Sequence, residues 1–324
     1  GLGKGWMGIL FAVLMIITFG FAYNSVQSNT ICLAWQKAFG IEPATMGIVL
    51  TVLTLLIIFG GIQRVAKFSS TVVPVMAVVY LLIAVGVVIW NITSLPKVLL
   101  TIVENAFGFN QAAGGVLGVT VIQGIKRGLF SNEAGEGSAP NAAAVATVSH
   151  PVKQGLIQAL GVFTDTLVVC SCTAFIILVS GVDVTASNGI QLTQDALTHE
   201  IGSIGNPFVA VMIWLFAFSS IIGNYYYGET NVRYIKDSKL GVFIYRLAVA
   251  AMVMIGAVVS LDFAWSFADI TMALLTLCNL VAIVLLSRQA VFLLQDYRQQ
   301  KKEGKNPVFS KDKMPEIADK LEAW

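Results

Sequence analysis

The sequence GLFSNEAGEGSAP, from Gly128 to Pro140, interrupts an otherwise regular succession of apolar runs along this chain. The segment carries two acids, Glu133 and Glu136, and it directly follows the basic pair Lys126 and Arg127. Because a helix needs about 20 mostly apolar residues to cross a bilayer, no continuous span can be drawn through this region. How the chain passes through it decides the fold.

The composition is that of a protein largely surrounded by lipid. Of the 324 residues, 56% are hydrophobic and 12% are charged, and the mean hydropathy is +0.80. A soluble domain cannot hide so much apolar surface in one core, so lipid must cover part of it. The net charge of +2 gives no support for nucleic-acid binding.

The cysteines and histidines give no indication of a metal or haem cofactor. The four cysteines lie in or next to apolar runs, where they are expected as small buried side chains. The two histidines, His150 and His199, have no Cys or His neighbour at the spacing of a zinc site. We therefore predict that the protein has no cofactor.

Seven other runs have the length and apolar character of membrane-spanning helices. They cover residues 6–25, 44–63, 69–91, 155–181, 207–228, 240–261 and 263–287. Lys and Arg are concentrated in alternate loops and at the C-terminus, which places those segments on the cytoplasmic side. We assign residues 1–294 to a transmembrane domain and residues 295–324 to a polar cytoplasmic tail with one short amphipathic helix. Because the chain starts with Gly and shows no signal sequence, we expect its true N-terminus to precede Gly1.

Residues 108–148 must contain an eighth crossing if the alternation of loop charge continues past residues 155–181. One interpretation is a short span at 112–125 followed by a long cytoplasmic loop. The other is a discontinuous helix, in which two half-helices meet at the Gly-rich stretch and expose their ends to a ligand. Glycine allows the unusual backbone angles of such a break, and Pro140 suits the first turn of the second half-helix.

Charged side chains inside a membrane are costly and mark candidate functional sites. Here they are Lys126, Arg127, Glu133, Glu136 and Asp165. The alternative is a structural role, in which Arg127 pairs with Asp165 or Glu133 and the region is nearly neutral. Pairing of this kind does not exclude a role in gating.

The run 207–228 contains hydroxyl and amide side chains, Ser219, Ser220 and Asn224. A step of four residues places Ser220 and Asn224 on one helix face. Serine hydroxyls in membrane helices usually bond their own backbone or a neighbouring helix, but their oxygens also suit a hard cation. Gln27, at the end of the first run, adds an amide that can hold a small polar molecule.

Four segments of the chain resemble one family of transporters. They are GxxRGLFSNEAGEGSAPNAAA around the break, HPVKQGLIQALGVFTDTLVVCSCTA after it, FAFSSIIGNYYYGE at 216–229 and NSVQSNTI at 24–31. These sequences are similar to the signature of the alanine or glycine:cation symporter family, within the amino acid-polyamine-organocation superfamily. The resemblance runs through essentially the whole chain.

This resemblance implies an all-α polytopic membrane protein with the leucine-transporter-type fold, which consists of two inverted repeats of five helices. The spans from Trp6 onward then correspond to core helices 3 to 10, and residues 108–148 correspond to broken helix 6. Core helices 1 and 2, including the first broken helix, are expected to be missing from the chain.

The resemblance also implies roles for individual residues. The amino acid is expected to contact Gln27, Leu129, Phe130, Ser131, Ser220 and Asn224. Sodium is expected to bind the Phe216 carbonyl and the hydroxyls of Ser219 and Ser220. Some family members have Thr and Trp where this chain has Ser220 and Asn224. An Asn leaves a roomier and more polar pocket, which favours a larger substrate such as glutamine.

The expected function is sodium-coupled symport of a small neutral amino acid by alternating access. Alanine or glycine is the expected substrate, with glutamine or serine as alternatives. Other possible functions are proton-coupled transport, an ion channel and a membrane enzyme, but no span has the polar stripe of a pore. We expect a multi-pass protein of the cell inner membrane that is not an enzyme, with sodium as coupling ion and no obligate protein partner.

Overall fold

The computed structural model describes residues 2–60, 62–106, 114–315 and 318, and in these ranges the chain is helical without any β-strand. The helices are α1 (Gly5–Phe39), α2 (Pro43–Ile58), α3 (Ile62–Trp90), α4 (Leu95–Ala106), α5 (Gly114–Asn132), α6 (Ser138–Ala143), α7 (Pro151–Ser180), α8 (Ile190–Ile201), α9 (Gly205–Ile235), α10 (Lys239–Val258) and α11 (Leu261–Lys302). Short 3-10 turns lie at Gly202–Ile204 and Lys311–Lys313.

Five helical segments of the described chain are long and apolar enough to cross a membrane. They are α1, α7, α10, α11 and the continuous run that α8 and α9 form together. The part of α3 from Pro74 onward passes the same test jointly with α4, as a pair bent by 101°, and makes a sixth. With 16 residues, α2 is a shorter apolar helix. The protein is therefore all-helical, and its several apolar helices are those of a multi-pass membrane protein.

Several helices are longer than the apolar runs from which they were predicted, and α1 and α11 exceed theirs the most. The run 6–25 lies in α1, which continues to Phe39 because its polar side chains, such as Asn24 and Asn29, are buried against protein. At the other end of the chain, α11 continues to Lys302, so the first residues assigned to the tail are helical. Helix ends of this kind cannot be read from hydropathy, which reports contact with lipid and not with protein.

Two of the sequence predictions fall partly on residues outside the described part of the chain. The first is the expected eighth crossing at 108–148, of which residues 108–113 are not described. The short amphipathic helix expected in the tail also falls largely beyond residue 315, apart from the 3-10 turn Lys311–Lys313.

Helices α1 and α7 each contain a π-helical segment, at Ile16–Tyr23 and Asp165–Cys170. A π-helix has i to i+5 hydrogen bonds, is rare, and occurs frequently at functional sites. Tyr23 ends the first segment and donates to Glu136, while Asp165 begins the second and accepts from Ser131. Both segments therefore contact the stretch GLFSNEAGEGSAP.

Helix α9 lies at the centre of the described structure. It packs with α1, α2 and α10 around Ile221 and Ile222, both 0% exposed. A polar contact also joins α1 to α10, because the Ser28 hydroxyl donates to the Val253 carbonyl at 2.6 Å. Small residues and interhelical hydrogen bonds of this kind let membrane helices approach closely.

The chain after α11 folds back onto the start of α7. The Phe309 N–H donates to the Ser149 carbonyl at 2.9 Å. His150 is fully buried, and its Nδ1 accepts from the Val152 N–H at 3.2 Å as the N-cap of α7. The other ring nitrogen lies 3.2 Å from the Asp296 carboxylate of α11. These contacts tie the end of α11 to the segment that follows α6.

Candidate functional site

The segment between α5 and α6 interrupts the helix. The first helix ends at Asn132 and the second begins at Ser138, and the φ angles of Glu133, Gly135 and Gly137 are 48°, 79° and 80°. A left-handed backbone favours glycine, and a residue such as Glu133 adopts it at a cost that the surrounding structure must offset. The described residues thus form two helices, α5 and α6, separated by a break at residues 133–137.

The break occupies only the later part of the Gly-rich stretch in which it was predicted. Leu129, Phe130 and Ser131, which were expected to contact the amino acid, lie in the last turns of α5, and Gly128 lies inside that helix. Gly128 can remain helical because a glycine in a helix interior is tolerated at a cost of about 1 kcal/mol. The residues with a left-handed backbone in this region, Glu133, Gly135 and Gly137, all follow α5. Pro140 is in the first turn of α6, as predicted.

Replacing Gly137 by alanine is expected to destabilise the break. The added Cβ would lie 2.8 Å from the Asn279 side chain, on a backbone that alanine adopts only under strain. We expect a loss of about 1–3 kcal/mol, seen as a lower melting temperature of the purified protein. Gly128→Ala is the matched control, because none of the described residues comes within 4 Å of its added Cβ. Equal melting temperatures for the two variants would contradict the prediction.

Arg127 and Lys126 of α5 both face Asp269 of α11. The Arg127 guanidinium donates to one carboxylate oxygen, and the Lys126 ammonium lies 3.4 Å from the other. The guanidinium also lies over the Trp265 ring, 4.1 Å from its centroid, where a cation–π interaction adds to the ion pair. The sequence analysis did not single out Asp269. It is a single acid in an otherwise apolar run, and such acids mark candidate functional residues in membranes.

The two acids that were expected to pair with Arg127 have other partners. Asp165 accepts a hydrogen bond from the Ser131 hydroxyl at 2.6 Å, and Glu133 accepts one from the Ser138 hydroxyl. The predicted pairing is therefore wrong. Glu133 does not reach Arg127 because the left-handed turn after α5 directs its side chain to the start of α6 and not back along α5.

Three helices meet where several of the predicted substrate contacts lie. Tyr23 of α1 packs against Phe130 of α5, with ring centroids 4.6 Å apart. The next residue, Asn24, is fully buried and accepts a hydrogen bond from the Asn224 amide of α9 at 3.2 Å. One turn further along α1, Gln27 is half-buried, and its amide has no hydrogen-bond partner in the part of the chain described. We call this place the α1–α5–α9 junction; Tyr23 and Asn24 were not predicted.

The remaining predicted substrate residues lie around the junction. Leu129 packs against the apolar core shared by α1 and α11. Ser131 and Asp165 line a cavity of about 200 Å³ beside the break, together with Glu133 and Tyr227. Hydroxyl and carboxylate oxygens that converge on one cavity can hold a small polar or cationic group.

The three predicted sodium ligands cluster on one turn of α9. The hydroxyls of Ser219 and Ser220 both donate to the Phe216 carbonyl, at 2.8 and 3.1 Å. Serines in membrane helices usually form such bonds to their own backbone, which was the alternative to cation binding in the sequence analysis. The Phe216 carbonyl thus already accepts two hydrogen bonds, and of the three predicted ligands only the two hydroxyl oxygens keep unused lone pairs for a cation.

The sequence of the chain matches a known family from one end to almost the other. Residues 1–311 fit the sequence profile described as the sodium:alanine symporter family. The chain belongs to this family. It is accordingly a transporter and not an enzyme, and sodium is the coupling ion that the family name implies.

Relatives within the family carry transporter names. The chain is 54% identical to a probable sodium/glutamine symporter, GlnT, of Bacillus subtilis over 96% of this chain and 66% of that protein. It is 52% identical to the amino-acid carrier protein AlsT of Bacillus subtilis over 100% of this chain and 69% of that protein. A sodium/proton-dependent alanine carrier protein of Bacillus sp. is 36% identical, over 92% of this chain and 71% of that protein. The chain thus spans about two thirds of the length of these relatives.

Membership of the symporter family agrees with the polar character of the α1–α5–α9 junction. Tyr23, Asn24 and Asn224 are polar residues buried between apolar helices, a costly position that marks candidate functional residues. The break at residues 133–137 lies next to this junction, since Glu136 accepts a hydrogen bond from Tyr23.

Proposed function

We propose that this protein is a sodium-coupled symporter of a small neutral amino acid that works by alternating access. The α1–α5–α9 junction, next to a broken helix, is the observation that supports this proposal most directly. Unwound backbone inside a membrane is tolerated only where protein or a water-filled cavity satisfies its polar groups. A helix broken beside a polar junction fits a site that opens and closes around a polar substrate.

The proposed architecture is the leucine-transporter-type fold, with α5 and α6 as the two halves of core helix 6 and the other long helices among core helices 3 to 10. The proposed domain limits remain residues 1–294 for transport and 295–324 for the tail. We place the protein in the cell inner membrane. Lys301 and Lys302 at the end of α11 favour a cytoplasmic C-terminus, because basic residues collect on that side.

The proposed substrate is a small neutral amino acid, which is alanine or glycine or, alternatively, glutamine or serine. Glutamine is favoured by the 54% identity with the relative named a probable sodium/glutamine symporter. It is also favoured by Asn224, which is smaller and more polar than the Trp of other family members. The proposed contacts are Gln27, Leu129, Phe130, Ser131, Ser220 and Asn224.

Uptake by the full-length protein in liposomes tests the proposal. We expect an inward sodium gradient to accelerate uptake of labelled glutamine or alanine at least about tenfold over a potassium gradient, about 1.4 kcal/mol of coupling. Equal uptake in the two gradients would refute sodium coupling. Competition by glycine, alanine, serine and glutamine then ranks the substrates.

The cation site is tested with serine variants in the same assay. Removing the Ser219 and Ser220 hydroxyls is expected to raise the half-saturating sodium concentration about tenfold, the effect of about 1.4 kcal/mol. Ser266→Ala is the control, because Ser266 is exposed on α11. If both changes leave the sodium dependence unaltered, Ser219 and Ser220 bond only their own helix.

A second candidate is proton-coupled transport of the same amino acids. The relative named a sodium/proton-dependent alanine carrier, 36% identical to this chain, is the observation that favours it. Uptake driven by a pH gradient in the absence of sodium would support this alternative.

A further inference from the structure

Glu136 is buried completely at the break, against α1. The residue is 0% exposed, and its Oε1 accepts a hydrogen bond from the Tyr23 hydroxyl at 2.8 Å. The other oxygen, Oε2, is also buried and has no hydrogen-bond partner among the described residues. Burying a charged carboxylate oxygen without a partner is costly, because nothing replaces the lost water. The substrate contacts proposed above do not account for this acid.

No basic residue in the described part of the chain forms an ion pair with Glu136. The two cations of α5, Lys126 and Arg127, face Asp269 instead. A buried acid with no cation and with one oxygen that has no donor favours its neutral form, because desolvation disfavours the charged form. The geometry therefore points to a carboxyl group that carries a proton on Oε2.

The described groups around Glu136 supply no positive charge. Glu133 on the same segment is a second acid, and α1 and α9 present the uncharged phenols of Tyr23 and Tyr227, of which Tyr23 donates to Oε1. From α11, the uncharged side chains of Thr276 and Asn279 approach the glycines on either side of Glu136. No element packed against the break supplies a positive charge in the described structure.

We propose that Glu136 is a proton-binding site of the transport cycle, with the proton carried on Oε2 in the conformation described. The inference rests on the proposed transport function and adds a residue-level proton site to it. A proton from water forms the O–H bond at Oε2 and makes the carboxyl neutral, while Oε1 keeps its hydrogen bond from Tyr23. When the bond to the proton breaks, the proton returns to water and leaves the carboxylate.

Release of the proton is linked to movement of the break. The segment around Glu136 has a left-handed residue on each side, Gly135 and Gly137, and α6 after it has only 6 residues. One hydrogen bond, from the Asn279 amide to the Gly135 carbonyl at 2.8 Å, ties it to α11. If the segment moves away from Tyr23, water reaches the carboxyl and stabilises its charged form. The closed break and the neutral acid therefore favour each other.

Infrared difference spectroscopy of the purified full-length protein tests the protonation state directly. Subtracting the spectrum of Glu136→Gln from that of the wild-type protein is expected to reveal a band of a protonated carboxylic acid that shifts in heavy water. Loss of a carboxylate band in its place would overturn the inference. Glu42→Gln is the matched control, because Glu42 is exposed and its replacement should leave the protonated-acid band in place.

The pH dependence of uptake tests the role in transport. Sodium-driven uptake by the wild-type protein is expected to fall at least about threefold between about pH 5.5 and about pH 8.5, because reforming the closed break requires a proton on Glu136. Glu136→Gln is permanently neutral, so its uptake should depend on pH by less than about 1.5-fold. Equal pH dependence in the two proteins would refute the role, as would an altered sodium dependence with an unaltered pH dependence.

A second variant keeps the inference testable if Glu136→Gln does not fold. Tyr23→Phe removes the hydroxyl that donates to Oε1 and leaves the carboxyl in place. It should shift the frequency of the protonated-acid band, and an unchanged band would count against the site. Failure of the proposed function is seen separately, because it abolishes sodium-dependent uptake in the wild-type protein without altering the infrared result.

Discussion

Replacing Asp269 by asparagine is expected to lower the initial rate of sodium-driven uptake at least about tenfold. Asp269 is the shared partner of Arg127 and Lys126, and its loss leaves two cations in a partly buried position. Removing one partner of a fully buried ion pair costs about 3–5 kcal/mol. The side chains of Arg127 and Asp269 are 39% and 20% exposed, so we expect a smaller effect of about 1.4 kcal/mol, which is tenfold in rate.

Asp262→Asn is the matched control for this prediction. Asp262 lies on the same helix but is exposed and has no ion pair among the described residues. A double-mutant cycle with Arg127→Ala then measures the coupling between α5 and α11. If the losses from Arg127→Ala and Asp269→Asn simply add, the two residues act separately and the ion pair has no role in the cycle.

Replacing Asn224 by tryptophan is expected to change which amino acid the protein carries. Asn224 is 7% exposed and donates to Asn24 across the α1–α5–α9 junction. An indole at this position fills the junction and breaks that hydrogen bond. Pocket volume discriminates between substrates by about 1–3 kcal/mol. We therefore expect uptake of glutamine to fall about 10- to 100-fold relative to alanine and glycine.

The measurement is the ratio of uptake rates for glutamine, alanine and glycine, so that a general loss of folded protein cancels. Asn224→Ala serves as the control, because it removes the hydrogen bond to Asn24 without adding volume. It is expected to retain glutamine uptake in preference to glycine. Unchanged selectivity in Asn224→Trp would show that Asn224 does not line the substrate pocket.

Part of this structure could be predicted from short stretches of sequence. Long apolar runs indicated the membrane helices, and Pro140 indicated the start of α6. The glycines also located the break approximately, but they did not identify its residues. Gly128 remains helical whereas Glu133, an unfavourable residue for a left-handed backbone, does not. The conformation of each residue is decided by the packing of α5 and α6 against other helices, which no local pattern records.

Contacts between distant residues could not be predicted in the same way. Arg127 pairs with Asp269, 142 positions further along the chain, and Tyr23 with Glu136, 113 positions further. The sequence supplies the charged and polar groups but not the helix that lies opposite each one. For Ser220 the sequence leaves two roles open. A serine whose hydroxyl bonds its own helix backbone and a serine whose hydroxyl binds a cation can lie at the same position of a helix.

The π-helical segment Ile16–Tyr23 has a consequence for insertions and deletions in α1. A single extra residue in a helix rotates everything after it by about 100°. Deleting one residue within Ile16–Tyr23 would convert the wider π turns to α-helical turns, and because a π turn holds one residue more than an α turn, Asn24 would still face Asn224 of α9. Sequence alignments of this family should therefore read a one-residue gap in this stretch as loss of the π segment with the helix face retained, whereas the same gap elsewhere in α1 would turn that face away.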